Sequence, residues 1–168
     1  FMFGYPGYTS FIQNAQIRTA AESVLNGLQL ARAEAIRSNG NIQFQLLNTQ
    51  SGAAINGGTD WSVMASTLAT PTVFDQQVQT RRDGSASSNA RIGVATSVST
   101  TAASPGANLP ATITFTGLGR LNAASNVRQI DITGPAGARR LTIVLTLGGD
   151  ARLCDPGLSL ATNPQGCS

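Results

Sequence analysis

The sequence contains no lysine and no histidine, so every basic side chain is an arginine. Without an imidazole there is no Ser-His-Asp or Cys-His catalytic arrangement and no histidine-held metal. Without an ammonium group there is no Schiff-base amine and no phosphate-loop lysine. Charge of either sign is scarce: 11% of the 168 residues are charged, against roughly 25% in an average soluble domain. The eight acids are scattered singly, which gives little support to a carboxylate pair or an oxygen-held cation. Two cysteines are too few for a four-thiolate zinc site. These absences argue against an enzyme, and with it against a cofactor or a small-molecule substrate.

Long apolar runs are missing too. No window approaches 18 consecutive apolar residues, so the sequence as it stands carries no membrane-spanning helix. The opening Phe1-Met2-Phe3-Gly4-Tyr5 has no charged-then-apolar leader pattern. It reads as an added scar or as the stub of a longer apolar segment. The apolar content of 41% still supports a core, and the length fits a single domain spanning 1–168.

What is present begins with a helix. Thr9 or Ser10 offers an N-cap, and Ile17, Ala21, Val24, Leu28, Ala31 and Ala35 recur at three- and four-residue spacing. Arg18 and Glu22 stand four apart on the other side. Arg37 suits the last turn and Asn39-Gly40 ends it, giving a helix over 9–39. The region 41–153 reads as β. Ile42–Leu46 alternates with period two, and Trp61–Ala65, Gln77–Thr80, Arg91–Val98, Ala111–Thr116, Val127–Thr133, Arg140–Thr146 and Ala151–Cys154 follow between turn signals such as Asp83-Gly84, Gly117-Leu118-Gly119 and Gly134-Pro135. With no helical crossover between them, these strands are expected to be antiparallel. Asp83 to Ala90 and Ser97 to Pro110 lack periodicity and read as loosely ordered surface loops. The fold class is α+β: a long N-terminal α-helix packed on antiparallel sheet, followed by a tail over 154–167.

Cys154 and Cys167 enclose that tail, with two prolines and two glycines between them. Two independent thiols in a reducing compartment are one reading. A disulfide is the favoured one, because the pair staples a segment too polar to pack alone, and it would imply an oxidising location.

Several stretches resemble the type IV pilin superfamily, and more narrowly its FimT/FimU minor pilins and GspH pseudopilins. The residues that carry this are Phe11-Ile12-Gln13-Asn14 through Leu28-Gln29-Leu30-Ala31-Arg32-Ala33-Glu34-Ala35-Ile36-Arg37-Ser38-Asn39, then Trp61-Ser62-Val63, then Ile113-Thr114-Phe115-Thr116-Gly117-Leu118-Gly119-Arg120, and the cysteine-bounded tail. The resemblance implies a minor pilin that helps initiate or cap a type IV pilus in company with other minor and major pilins. It equally admits a pseudopilin of type II protein secretion. It also implies a chain held in the bacterial inner membrane by the first half of the helix, with its domain in the periplasm and then in a surface filament. Members begin with a methylated phenylalanine and carry glutamate at the fifth position. Tyr5 stands at that position here, so Phe1 is not read as the methylated residue and the anchor is read as absent.

Two sets of candidate residues follow. Phe11, Ile12, Ala15 and Arg18 lie in the half of the helix expected to project, and are candidates for subunit contact. The FimT branch takes up DNA, and the resemblance implies a Gly-Arg-x-Arg pattern before the first tail cysteine. Here the residues are Gly149-Asp150-Ala151-Arg152. Gly149 and Arg152 match, but Asp150 sets a negative charge where phosphate would lie. Arg139 and Arg140 could compensate if a hairpin brought them beside Arg152; alternatively they form a solvated strand end or pair with Asp131 or Asp150. With Phe1, Tyr5 and Tyr8 as the aromatics expected at the surface, no base-stacking platform is evident. Trp61, the one tryptophan, is assigned to the core.

Overall fold

The computed structural model describes residues 5–67, 70–82 and 87–167. Helix α1 runs Tyr5–Ser38, about 50 Å at 1.5 Å per residue. It starts earlier than the expected Thr9 or Ser10 cap. Pro6 stands in the first turn, where its missing N–H has no partner to lose. Ser10 is therefore inside the helix, and its hydroxyl donates back to the Gly7 carbonyl at 3.1 Å instead of capping. The helix ends where expected. Asn39 takes a positive φ of 48° and the Gly40 amide returns to the Ala35 carbonyl at 3.2 Å.

Among the described residues ten strands follow: β1 Ile42–Leu46, β2 Thr49–Gln50, β3 Ala53–Ala54, β4 Trp61–Thr67, β5 Thr70–Arg81, β6 Arg91–Ala95, β7 Ala111–Phe115, β8 Gln129–Thr133, β9 Leu141–Leu145 and β10 Ala151–Cys154. They form two four-stranded sheets, in orders β5-β4-β1-β7 and β10-β9-β8-β6, with β2-β3 as a small ribbon. All the ladders are antiparallel. β5 is longer than the expected Gln77–Thr80 and pairs with β4 through three register shifts. The expected Asp83-Gly84 turn lies outside the described residues.

Helix α1 packs against both sheets. Its predicted stripe of Ile17, Ala21, Val24, Leu28, Ala31 and Ala35 is buried throughout, at no more than 1% exposure. It shares one buried core with Phe44, Trp61, Val63, Ile113 and Phe115 from the first sheet and Ile92, Ile130, Ile132, Ile143 and Leu145 from the second. Trp61 is 2% exposed, donates to the Ser23 hydroxyl at 3.0 Å, and lies 5.5 Å from the Phe44 ring.

The segment expected to be a loose loop over 97–110 is irregular but fastened. Its Ser99 amide donates to Gln129 (2.6 Å) and its Ala103 amide to Asp131 (2.8 Å). Gly106 and Ala107 bond the backbone of β6. The segment thus lies over β6 and β8, which explains why Gln129 and Asp131 are fully buried. Its lack of periodicity reflects a cover without a regular ladder; it does not reflect a lack of partners.

Candidate functional site

The first candidate set sits where α1 leaves the core. Ile17 is the first buried residue of the helix. Two polar tethers lie beside it: Asn14 accepts from the Arg139 amide at 2.8 Å, and Gln16 accepts from the Asn89 side chain at 2.7 Å. N-terminal to that point Tyr8, Phe11 and Ile12 turn outward. Tyr8 is 68% exposed, Phe11 71% and Ile12 37%. Ala15 and Arg18 are exposed as well, and Arg18 pairs with Glu22 at 3.2 Å. At 100° per residue, Tyr8, Phe11, Ala15 and Arg18 fall on the side of the helix opposite the buried stripe. The structure therefore gathers Phe11, Ile12, Ala15 and Arg18 on one uncovered stretch, with Tyr8 as an addition.

The arginines of the second set are dispersed, and each has protein partners. Arg140 forks onto the fully buried Asp131 at 2.9 and 2.7 Å and donates to the Thr100 carbonyl at 2.6 Å. Asp131 also accepts from Thr142 and Gln129, both at 2.8 Å, so this network is satisfied within the fold. Arg139 pairs with the buried Asp155. Arg152 donates to the carbonyls of Gly166 (3.0 Å) and Cys167 (3.2 Å). Arg139 and Arg152 thus both reach the base of the tail, which is closed by the Cys154–Cys167 disulfide. Arg140 is turned instead toward the 97–110 segment.

Gly149 belongs to a different place. It has a φ of +87°, and a Cβ built there would come within 2.0 Å of the Gly119 carbonyl oxygen. That oxygen accepts from Arg32 at 3.1 Å, and Arg32 also pairs with Asp150. Arg32 of the helix, Gly119 of the Ile113–Arg120 stretch and Gly149-Asp150 of the last hairpin therefore meet at one point. Asp150 reads in the sequence as a charge reversal, whereas the structure gives it a helix partner 118 residues away. No local spacing announces a contact of that range.

Little else in the molecule concentrates chemistry. Among the described residues no group of three or more metal-ligating side chains comes together. An open cleft of about 560 Å³ lies at the C-terminal end of α1, lined by Glu34, Arg37, Asn39, Ser66, Gln76 and Gln77 among others. Within it the Arg37 guanidinium, hydrogen-bonded to Glu34, holds that carboxyl below its usual range. No described helix is long and apolar enough to cross a membrane.

The chain matches the family model described as type II transport protein GspH over residues 20–149. No curated protein matches it significantly by sequence. Among solved structures it is similar to the type IV minor pilin FimU of Pseudomonas aeruginosa strain PAO1, at 19% identity and a TM-score of 0.61, covering 94% of this chain and 99% of that one. It is also similar to the minor pseudopilin EpsH from the type 2 secretion system of Vibrio cholerae, at 11% identity and a TM-score of 0.54, covering 85% of this chain and 99% of that one. At such identities the likeness is one of fold.

Proposed function

We propose that this chain, which belongs to the GspH family, is a subunit of the minor pilin and pseudopilin kind that helps to initiate or cap a type IV pilus, making lateral contact with other pilins. The observation that carries this is the outward-facing stretch of Tyr8, Phe11, Ile12, Ala15 and Arg18. Exposed aromatic and aliphatic side chains aligned along one side of a projecting helix suit packing against a neighbouring helix. On this reading the protein is held at the inner membrane with its globular part in the periplasm, and it then enters a surface filament. The disulfide accords with an oxidising location.

The family description favours a second reading, a pseudopilin of type II secretion that uses the same helix face in a short filament. DNA as a partner is disfavoured. Asp150 places a carboxylate, paired with Arg32, where the pattern has an arginine, and Arg139, Arg140 and Arg152 each already donate to partners within the chain. Deleting the gene separates these readings when piliation, protein secretion and DNA uptake are measured side by side. Loss of pili supports the first reading and loss of secretion the second. Loss of uptake with intact pili would bring DNA back, and no change in any of the three would end the assembly proposal.

A further inference from the structure

We propose that the disulfide-closed tail is a clamp that fixes how the projecting half of α1 leaves the globular part, acting through Asp155, Arg139 and Asn14. Asp155 opens the tail, directly after Cys154. Its amide donates to the Gln165 carbonyl at 2.7 Å, and its Oδ1 accepts from the Gly157 amide at 2.7 Å. With Cys154 joined to Cys167, the closed loop sets where this buried carboxylate points. Its Oδ2 accepts from the Arg139 guanidinium.

Arg139 lies in the connection between β8 and β9, and its own amide donates to Asn14 Oδ1 at 2.8 Å. Asn14 stands three residues before Ile17, where helix burial begins. An asparagine inside a helix gains nothing for the helix itself; here its side chain reads the position of the β8–β9 connection. Gln16 is tied to Asn89 at 2.7 Å. Asn14 and Gln16 therefore both hold the helix at its exit, and of these two contacts the Asn14 one leads to the tail.

The Arg139 side chain is 54% exposed while the Asp155 carboxyl is buried, so removing the arginine leaves that carboxylate to the Gly157 amide and lowers global stability modestly. The pair's larger effect is on position. The biological weight of the clamp rests on the proposed use of the Phe11 face in assembly, because turning the helix exit re-aims that face.

Hydrogen–deuterium exchange on the 168-residue chain reads this directly. Arg139→Ala keeps the residue-139 amide but frees it from the tail. Exchange over residues 9–16 is expected to rise roughly three- to tenfold, with little change over the rest of α1 and a modest fall in the denaturation midpoint. Asp155→Asn and the double variant Cys154→Ser, Cys167→Ser should raise it in the same segment. In an Asn14→Ala background, Arg139→Ala should add nothing. Unchanged exchange over 9–16 in Arg139→Ala would overturn the clamp, as would a full effect persisting in the Asn14→Ala background. The readout needs no filament, so normal clamp behaviour in a chain that fails to assemble counts against the proposed function alone.

Discussion

Gly27 sits in the middle of a 34-residue helix, where glycine costs about 1 kcal/mol relative to alanine. A Cβ there would come within 2.5 Å of the Phe44 ring and 3.0 Å of Trp61. The missing side chain is what lets the helix settle onto the two sheet aromatics. Gly27→Ala should therefore lower stability by about 1 kcal/mol or more despite its better helix propensity, read as a lower urea midpoint. An unchanged or raised midpoint would show that the rings yield at no cost. Glu34 gives a second residue-scale test. Arg37 lowers its pKa through a hydrogen bond, so the pair contributes stability above the unfolded-state value, and this is lost as pH falls through the folded one. In Arg37→Ala the carboxyl should titrate closer to its ordinary value by NMR, and the acid limb of stability should flatten slightly. At this scale the sequence was partly legible. The buried stripe and the core role of Trp61 followed from spacing and residue type, and Asp131 was among the partners offered for Arg140, whereas the partners of Arg32 and Asp155 are contacts that no periodicity encodes.

At the scale of elements, the helix, most strands and the tail could be read from local pattern. Two departures have physical causes. The helix began at Tyr5 because Pro6 suits a first turn better than Ser10 suits a cap in this setting. The segment 97–110 lacked a period because it satisfies its backbone with side chains of β8 and scattered bonds to β6. The tail is the element most dependent on one covalent link. Replacing both cysteines with serine should cost about 3 kcal/mol for a loop of this size, measured by chemical denaturation of the oxidised chain and of the variant. A difference close to zero would mean that Arg139 and Arg152 hold the tail closed without the disulfide.

For the whole molecule, scarce charge takes on a meaning beyond the chemistry it excludes. Among the described residues, arginines are spent in ion pairs with Glu22, Asp150, Glu34, Asp155 and Asp131. The net charge is only +3. A surface of this kind suits close packing beside like subunits without strong repulsion. The proposed joining of neighbouring pilins through the Phe11 face is tested by placing Phe11→Glu in the protein, producing it in the deletion strain, and quantifying the subunit in sheared filaments. Phe11 is 71% exposed, so the globular fold should keep its thermal midpoint while incorporation drops sharply. Wild-type incorporation of a correctly folded Phe11→Glu subunit would contradict the account.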